Sequence, residues 1–475
     1  MALITAVIGG LGYYDVDFTI ESIPFRGKLA CEAIFNSLSS KGGDPHILIF
    51  APESLIVNLH ESSSYVARLL RHPEEVKQQI HQKLVELIPS VSPNKLTTAL
   101  TQSQGEYKSK DRSVTLVFEN TVENVVSHIF SQLLLYLNKT REKSLIVDIS
   151  TGHNLYVTSL LEAVRGVLVY NKLNHLLQGD ERIGVEIAYV PPIYATNQNV
   201  RVEFHPYDVK AFFELPIRGK DINLNRVIRV SQANQQTYYE EAKRIIYLKT
   251  KELKTHLITG RLTYNAIKYN TPLVLFHDQI TGRLRQFEEI IDFPERLYGL
   301  ISTLEEGQKE ITESNGRIKV SRYYSIDKDL FINLHFHLAL LNSIYRFWKQ
   351  QIEGREPELE YIRQIFSEVY RRLGLGLNSK FLERDCNEIS TAVNNYEGDL
   401  THAKLLEDII KSEPKDQIAK PPSVKLSNPK RNFFAHSGLS YNITKVTKRN
   451  GHILLSYENE AFEKEVMSWI EDPEG

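Results

Sequence analysis

Cysteine is almost missing from this 475-residue chain. Cys31 and Cys386 stand far apart, with no CxxC pair and no cysteine–histidine cluster. That excludes a disulfide framework, argues against a structural zinc centre and fits a reducing, cytoplasmic setting. No run of about 18 apolar residues occurs, so no membrane span is expected. The opening string MALITAVIGGLGYYD lacks the basic start and small-residue cleavage site of a signal peptide. Charge of one sign is missing too: 57 Lys and Arg against 59 Asp and Glu leave a net charge of −2. No global basic field therefore draws in nucleic acid, and any RNA contact must come from local patches. There is no internal repeat and no low-complexity tract. What is present, 42% hydrophobic and 24% charged residues, is ordinary globular composition. The length suits two to four domains.

The first ~205 residues alternate short apolar strands with helical patterns. Leu3–Ile8, His46–Phe50, Val114–Phe118, Leu145–Ile149 and Val185–Val190 read as strands. Lys28–Ser39, Ser64–Ile88, Val122–Leu137 and Leu155–Asn171 read as helices. This rhythm predicts an α/β, Rossmann-like domain over 1–205, a parallel-type sheet with helices on both faces. Ligands of such sheets sit outside the carboxyl ends of the strands. Residues 206–270 read as a connector. Tyr207–Leu215 leads to Val227–Leu257, which feeds a basic helix with Ala242, Ile245, Ile246, Leu253 and Leu257 at helical period and Lys243, Arg244, Lys249, Lys251 and Lys254 as its solvated face. Residues 271–475 read as a mainly α-helical domain. Its helices are Phe331–Gln351, Leu359–Leu373, Leu382–Tyr396 and Phe462–Ile470. Glu413–Pro422 reads as a loop, and Asn442–Thr447 with His452–Tyr457 as a small β-hairpin turning at Asn450-Gly451.

Two segments resist explanation by packing. The first is Asn428-Pro429-Lys430-Arg431-Asn432-Phe433-Phe434-Ala435-His436-Ser437-Gly438. Asn428 suits a helix N-cap, Pro429 the first turn and Gly438 the end. Asn432 and His436, four apart, share a face, and Arg431 is long enough to reach it. Such a group suits phosphodiester cleavage. Histidine moves protons near neutral pH, arginine grips a phosphate, and asparagine orients either one. RNA supplies its own 2′-OH nucleophile, so no metal and no cofactor are required. The competing reading is a short basic helix with a surface histidine.

The second segment runs Leu145-Ile146-Val147-Asp148-Ile149-Ser150-Thr151-Gly152-His153-Asn154-Leu155: a buried strand, a polar turn and a helix start. Ser150, Thr151 and Asn154 offer polar groups, Gly152 lets backbone approach a ligand, and a helix N-terminus favours anions. His153 suits base or phosphate contact, and Asp148 suits a turn cap. A purely structural strand-to-helix turn stays open. The turn after the first strand, Gly9-Gly10-Leu11-Gly12, matches it, and together the two would form one phosphate cradle. Other motifs fail. From Gly10, the last glycine of G-x-G-x-x-G is Asp15, and the next helix starts near Phe25. D-I-S-T-G around Ser150 lacks the first glycine of G-x-S-x-G. His335 and His337, two apart on a helix, point to different faces and make no metal pair.

In this order, the two segments resemble the CARF–HEPN ancillary ribonucleases of type III CRISPR systems. D-I-S-T-G-H-N resembles the CARF signature D-x-[ST]-x-G-x-N. R-N-F-F-A-H resembles the HEPN signature R-x4-6-H, with an asparagine after the arginine. The resemblance covers essentially the full length. It implies a homodimer, with larger assemblies of dimers also open, that binds a cyclic oligoadenylate (cyclic tetra-adenylate first among ring sizes) and then cleaves single-stranded RNA. Arg431, Asn432 and His436 would be catalytic. Gly9, Gly10, Leu11, Gly12, Ser150, Thr151, Gly152, His153 and Asn154 would line the activator pocket. The alternatives are a nucleotide-sensing regulator without catalysis and a CARF domain that also degrades its activator.

Overall fold

The computed structural model describes residues 2–179, 183–191, 193, 198–217, 226–231, 236–287, 292–412 and 428–474. The chain opens with β1 (Ala2–Val7), the hairpin β2 (Val16–Ile20) and β3 (Ile23–Gly27), α1 (Ala30–Ser40) and β4 (Pro45–Pro52). Then come α2 (Ser63–Leu70), α3 (Pro73–Leu87), β5 (Leu96–Thr101), β6 (Gly105–Lys108), β7 (Thr115–Glu119) and α4 (Val122–Thr140). β8 (Ser144–Asp148), α5 (Asn154–Asn174), β9 (Gly184–Tyr189), β10 (Asn199–Arg201) and β11 (Glu203–Pro206) complete this part.

The main sheet has the order β11-β9-β8-β1-β4-β5. Its strands pair in parallel except β11, which lies antiparallel on β9 at the edge. From the central β1 the chain steps first to β4 and β5, then crosses back to β8 and β9. The order thus reverses between β1 and β8, where open α/β sheets leave their ligand crevice.

The second part contains β12 (Ile228–Val230), α6 (Gln236–Lys268), α7 (Asp278–Arg285), α8 (Phe293–Gly307), β13 (Lys309–Ser314), β14 (Arg317–Arg322) and β15 (Tyr324–Ile326). α9 (Lys328–Gln351), α10 (Leu359–Arg372), α11 (Gly376–Asn395), β16 (Lys404–Leu405), α12 (Leu406–Lys411) and α13 (Pro429–Ala435) follow. β17 (Thr444–Arg449) and β18 (His452–Tyr457) form the expected hairpin, with Asn450 and Gly451 both at positive φ in its turn. The terminal helix Asn459–Glu471 contains a π-helical turn at Phe462–Val466.

α9 ties the two parts together. Phe331, Ile332, Leu334 and Leu338 join a core shared with α4, α5 and α8. Leu341, Ile344, Phe347 and Trp348 join a second core with α10, α11 and α13. The other face of the main sheet packs on α1 and α3.

Several expectations need correction. Ser64–Ile88 is two helices, not one. His72 precedes Pro73, whose ring disfavours helical backbone at His72, and Pro73 then starts the next helix. Phe25 lies in β3, so the next helix starts only at Ala30. Val114–Phe118 forms a strand outside the main sheet. β7 belongs to a separate sheet of order β13-β14-β7-β6 and pairs in parallel with β14, about 200 residues later. The basic helix exceeds its expected range. On it Leu253 and Leu257 are buried and Arg244 and Lys254 exposed, while the side chains of Ala242, Lys243, Ile245, Ile246, Lys249 and Lys251 lie outside the described residues. The expected loop Glu413–Pro422 also lies outside them. His335 bonds the Phe331 carbonyl at 2.9 Å and His337 the Leu257 carbonyl at 3.2 Å, so the two rings do point apart. Among the described residues, no helix is long and apolar enough to cross a membrane.

Candidate functional site

α13 is fixed at both ends. The Asn428 side chain accepts a hydrogen bond from the Arg431 N–H at 3.0 Å, and Pro429 fills the first turn. At the other end Ser437 (φ 52°) and Gly438 (φ 72°) turn left-handed. The Gly438 N–H then donates to the Phe433 carbonyl at 2.9 Å, closing a Schellman-type ending. Gly438 has no alternative, because a Cβ there would lie 2.8 Å from Thr271 Cβ. Ser437 bears the strain of a non-glycine residue at positive φ. Two side chains hold it: its hydroxyl donates to Asp385 at 2.6 Å and accepts from Asn270 at 2.8 Å. Phe433 is fully buried against Phe434 and Trp469 and anchors the helix in the core.

This frame carries the three predicted residues. Arg431 is exposed and Asn432 half-buried, and neither side chain has a hydrogen-bond partner among the described residues. The His436 N–H bonds the Asn432 carbonyl at 3.0 Å, so the two do share a face. The His436 side chain is 37% exposed, yet its Nδ1 is buried and stands 3.9 Å from Asp385 Oδ1, beyond hydrogen-bond range. The Tyr441 ring lies 5.4 Å away.

Sequence reasoning missed Asp385 and its neighbours. Asp385 and Arg384 lie on α11, and the Arg384 guanidinium reaches Asp385 Oδ1 at 2.8 Å. Burial alone would raise the Asp385 pKa. The His436 ring, the Ser437 hydroxyl and the Arg384 cation outweigh it and hold the carboxyl below its ordinary range. A signal was present: Asp385 sits in the apolar stripe of Leu382, Cys386, Ile389 and Val393, where an acid is out of place.

The second group lies at the sheet's switch point. The turn Gly9–Gly12 follows β1 and the turn Ser150–Asn154 follows β8, and these strands are adjacent, with Ala6 opposite Asp148. The turns touch: a Cβ on Gly9 would meet the His153 nitrogen at 2.9 Å. Gly152 has φ 108°, and its Cβ would lie 2.9 Å from Val7 Cγ2. Thr151 is buried and donates to the Val7 carbonyl at 2.8 Å, tying one turn to the strand that leads into the other. Asp148 caps the turn as expected. Its Oδ1 accepts from the Ser150 N–H at 2.9 Å and from the Ser150 hydroxyl, and its Oδ2 accepts from the Cys31 N–H at 2.9 Å. The Tyr13 hydroxyl accepts from the Gly9 and Gly10 N–H groups.

Gly10 and Gly12 face open space, His153 and Asn154 are exposed, and Leu11 is half-buried against the core. His153 is the N-cap residue of α5. The His153 and Asn154 side chains thus stand on an open surface beside the start of a 21-residue helix, while the Ser150 and Thr151 hydroxyls are engaged by Asp148 and Val7. That chemistry favours a phosphate-bearing ligand.

Comparison with known families gives two matches. Residues 3–190 match the family model of the CARF domain of the CRISPR system endoribonuclease Csx1, and residues 375–460 match that of its HEPN domain. The first span holds both turns, and the second holds Asp385 and α13. No curated protein matches the chain.

Proposed function

Because the chain belongs to the CARF–HEPN ribonucleases of CRISPR systems, we propose that it is an RNA-cutting effector of antiviral defence switched on by a cyclic oligoadenylate. The observation that carries this reading is α13. Among the described residues Arg431 and Asn432 have no side-chain partner, and His436 is half-exposed, on a helix fixed at both ends. Arg431 would grip the scissile phosphate and offset charge on its oxygens. His436 would transfer the proton, and Asn432 would orient the phosphate. Attack by the ribose 2′-OH breaks the bond to the 5′-oxygen and leaves a 2′,3′-cyclic phosphate and a 5′-hydroxyl. The RNA supplies the nucleophile, so the step needs no metal-activated water.

One α13 offers a shallow, one-sided site, and one pair of turns an open surface. A two-fold homodimer would complete both, facing two α13 helices and closing two sensor surfaces around a ring of even size, cyclic tetra-adenylate first. The working location is the cytoplasm, where the buried thiols of Cys31 and Cys386 stay reduced.

The test is cleavage of labelled single-stranded RNA with and without cyclic tetra-adenylate, each with and without EDTA. Cleavage is expected only with activator, unaffected by EDTA, and reduced by about 10²–10⁴-fold in His436→Ala. Activity surviving His436→Ala, or lost in EDTA, overturns the mechanism. Activator binding with no cleavage by the parental protein would mark a regulator without catalysis.

A further inference from the structure

We infer that Asp385 is a positioning residue for the ribonuclease site: its carboxylate holds the His436 imidazole with the proton on Nδ1, leaving Nε2 to exchange protons with RNA. This rests on the reading of α13 given above and deepens it.

One buried atom of this site lacks a partner among the described residues, and a buried carboxylate faces it. Asp385 is 3% exposed within an apolar helix stripe, where a carboxylate is unfavourable unless paired. His436 Nδ1 is buried and has no hydrogen-bond partner among the described residues. Buried polar atoms of native proteins nearly always find one. The acceptor facing Nδ1 is Asp385 Oδ1, 3.9 Å away.

The division of labour on the carboxylate is specific. Oδ2 takes the Ser437 hydroxyl at 2.6 Å, which locks the left-handed residue following His436. Oδ1 takes Arg384 at 2.8 Å and faces the imidazole. Holding the helix end would need only Oδ2. A shift of about 1 Å brings Nδ1 into hydrogen-bond range, and such bonds commonly tighten when substrate binds. A carboxylate accepting from Nδ1–H fixes the tautomer, orients the ring and stabilises the imidazolium that forms during proton transfer.

The charged and titratable groups around His436 are Asp385, Arg384 and Glu388 on α11 and Tyr441 beyond α13, with Arg431 five residues earlier on α13. Glu388 is 3.3 Å from the Tyr441 hydroxyl and 3.9 Å from Arg384, so its charge is engaged there.

Asp385→Asn is the informative variant. The amide oxygen can still accept from Ser437, while the charge and the acceptor toward His436 are lost. Activated cleavage is expected to lose about 100-fold in kcat with KM within about two-fold. In the parental protein, 15N NMR of the imidazole, assigned by its disappearance in His436→Ala, should show the neutral ring protonated on Nδ1. An Asp385→Asn protein with kcat within three-fold of parental overturns the inference. So does a neutral parental ring carrying its proton on Nε2, a measurement that stands even if the variant fails to fold. The two readings fail separately. Cleavage surviving His436→Ala sinks the α13 site, whereas dead His436→Ala with normal Asp385→Asn sinks only the role of Asp385.

Discussion

Gly152 and Gly10 look alike in the sequence, each a glycine in a loop after a strand, and the structure separates them. Gly152 sits at φ 108° with Val7 against its Cβ position, whereas Gly10 has nothing within 4 Å. Gly152→Ala is expected to destabilise the protein by about 1–3 kcal/mol and to weaken cyclic tetra-adenylate binding, while Gly10→Ala leaves stability nearly unchanged. Urea midpoints and calorimetric titration of the three proteins check this. A shared midpoint would remove the strain argument. The same scale shows how far the sites were legible. The capped helix carrying Arg431, Asn432 and His436 could be read because helix spacing and caps are local, and the turn Ser150 to Asn154 because a turn after a strand is local. The partner of His436 could not. Asp385 precedes it by about fifty residues, and only the packing of α11 on α13 brings them together.

Among elements, strands were easier to find than to pair. The run around Val117 reads as a strand from its apolar content, but nothing in it says which neighbour it takes. Its partner β14 sits in a stretch without any recognised motif. At the end of β14, Arg322 is enclosed by Glu53, just after β4, at 2.6 Å and by Glu305 of α8 at 2.7 Å. Tyr324 and Gln102 also donate to Glu305. Three distant elements thus meet on one fully buried guanidinium. Arg322→Met leaves the buried Glu53 without its cation and Glu305 with Lys309 alone, and is expected to cost about 3–5 kcal/mol, with Glu53→Gln in the same protein recovering part of it. Chemical unfolding of the single and double variants measures both terms. A loss below about 1 kcal/mol would mean the cluster is hydrated.

At the scale of the whole molecule, acid should loosen the fold in two stages. Burial pushes His335 and His337 down to about 4, so the folded state takes up fewer protons than the unfolded chain between pH 4 and 6.5. Their contribution is full above about pH 6.5 and is lost as pH falls toward 4, at most about 3 kcal/mol per ring. Glu305 acts lower. Burial would raise its pKa, but Arg322 and Lys309 hold it at about 2, so its contribution fades between about pH 4.5 and 2. Unfolding free energy measured from pH 7.5 to 4.5 should fall steadily, and His335→Leu should flatten the slope. A parental protein equally stable across that range would contradict the buried neutral rings. The two-part organisation itself was readable, because βαβ rhythm and long helical stripes are periodic signals. The way the parts share material was not.

β13 and β14 reach back to complete the sheet begun by β6 and β7, and β15 delivers the chain directly into α9. The molecule is therefore not a string of beads that could be cut between sensor and effector. Removing everything beyond residue 205 would strip β7 of its parallel neighbour and bare an edge strand. In evolutionary terms, a recombination that transplants this sensor to a new effector must carry residues 309–326 with it. The segment with the least readable sequence is then the one shuffled least freely, and a designer building chimaeras should place the junction after α9 begins, not in the connector.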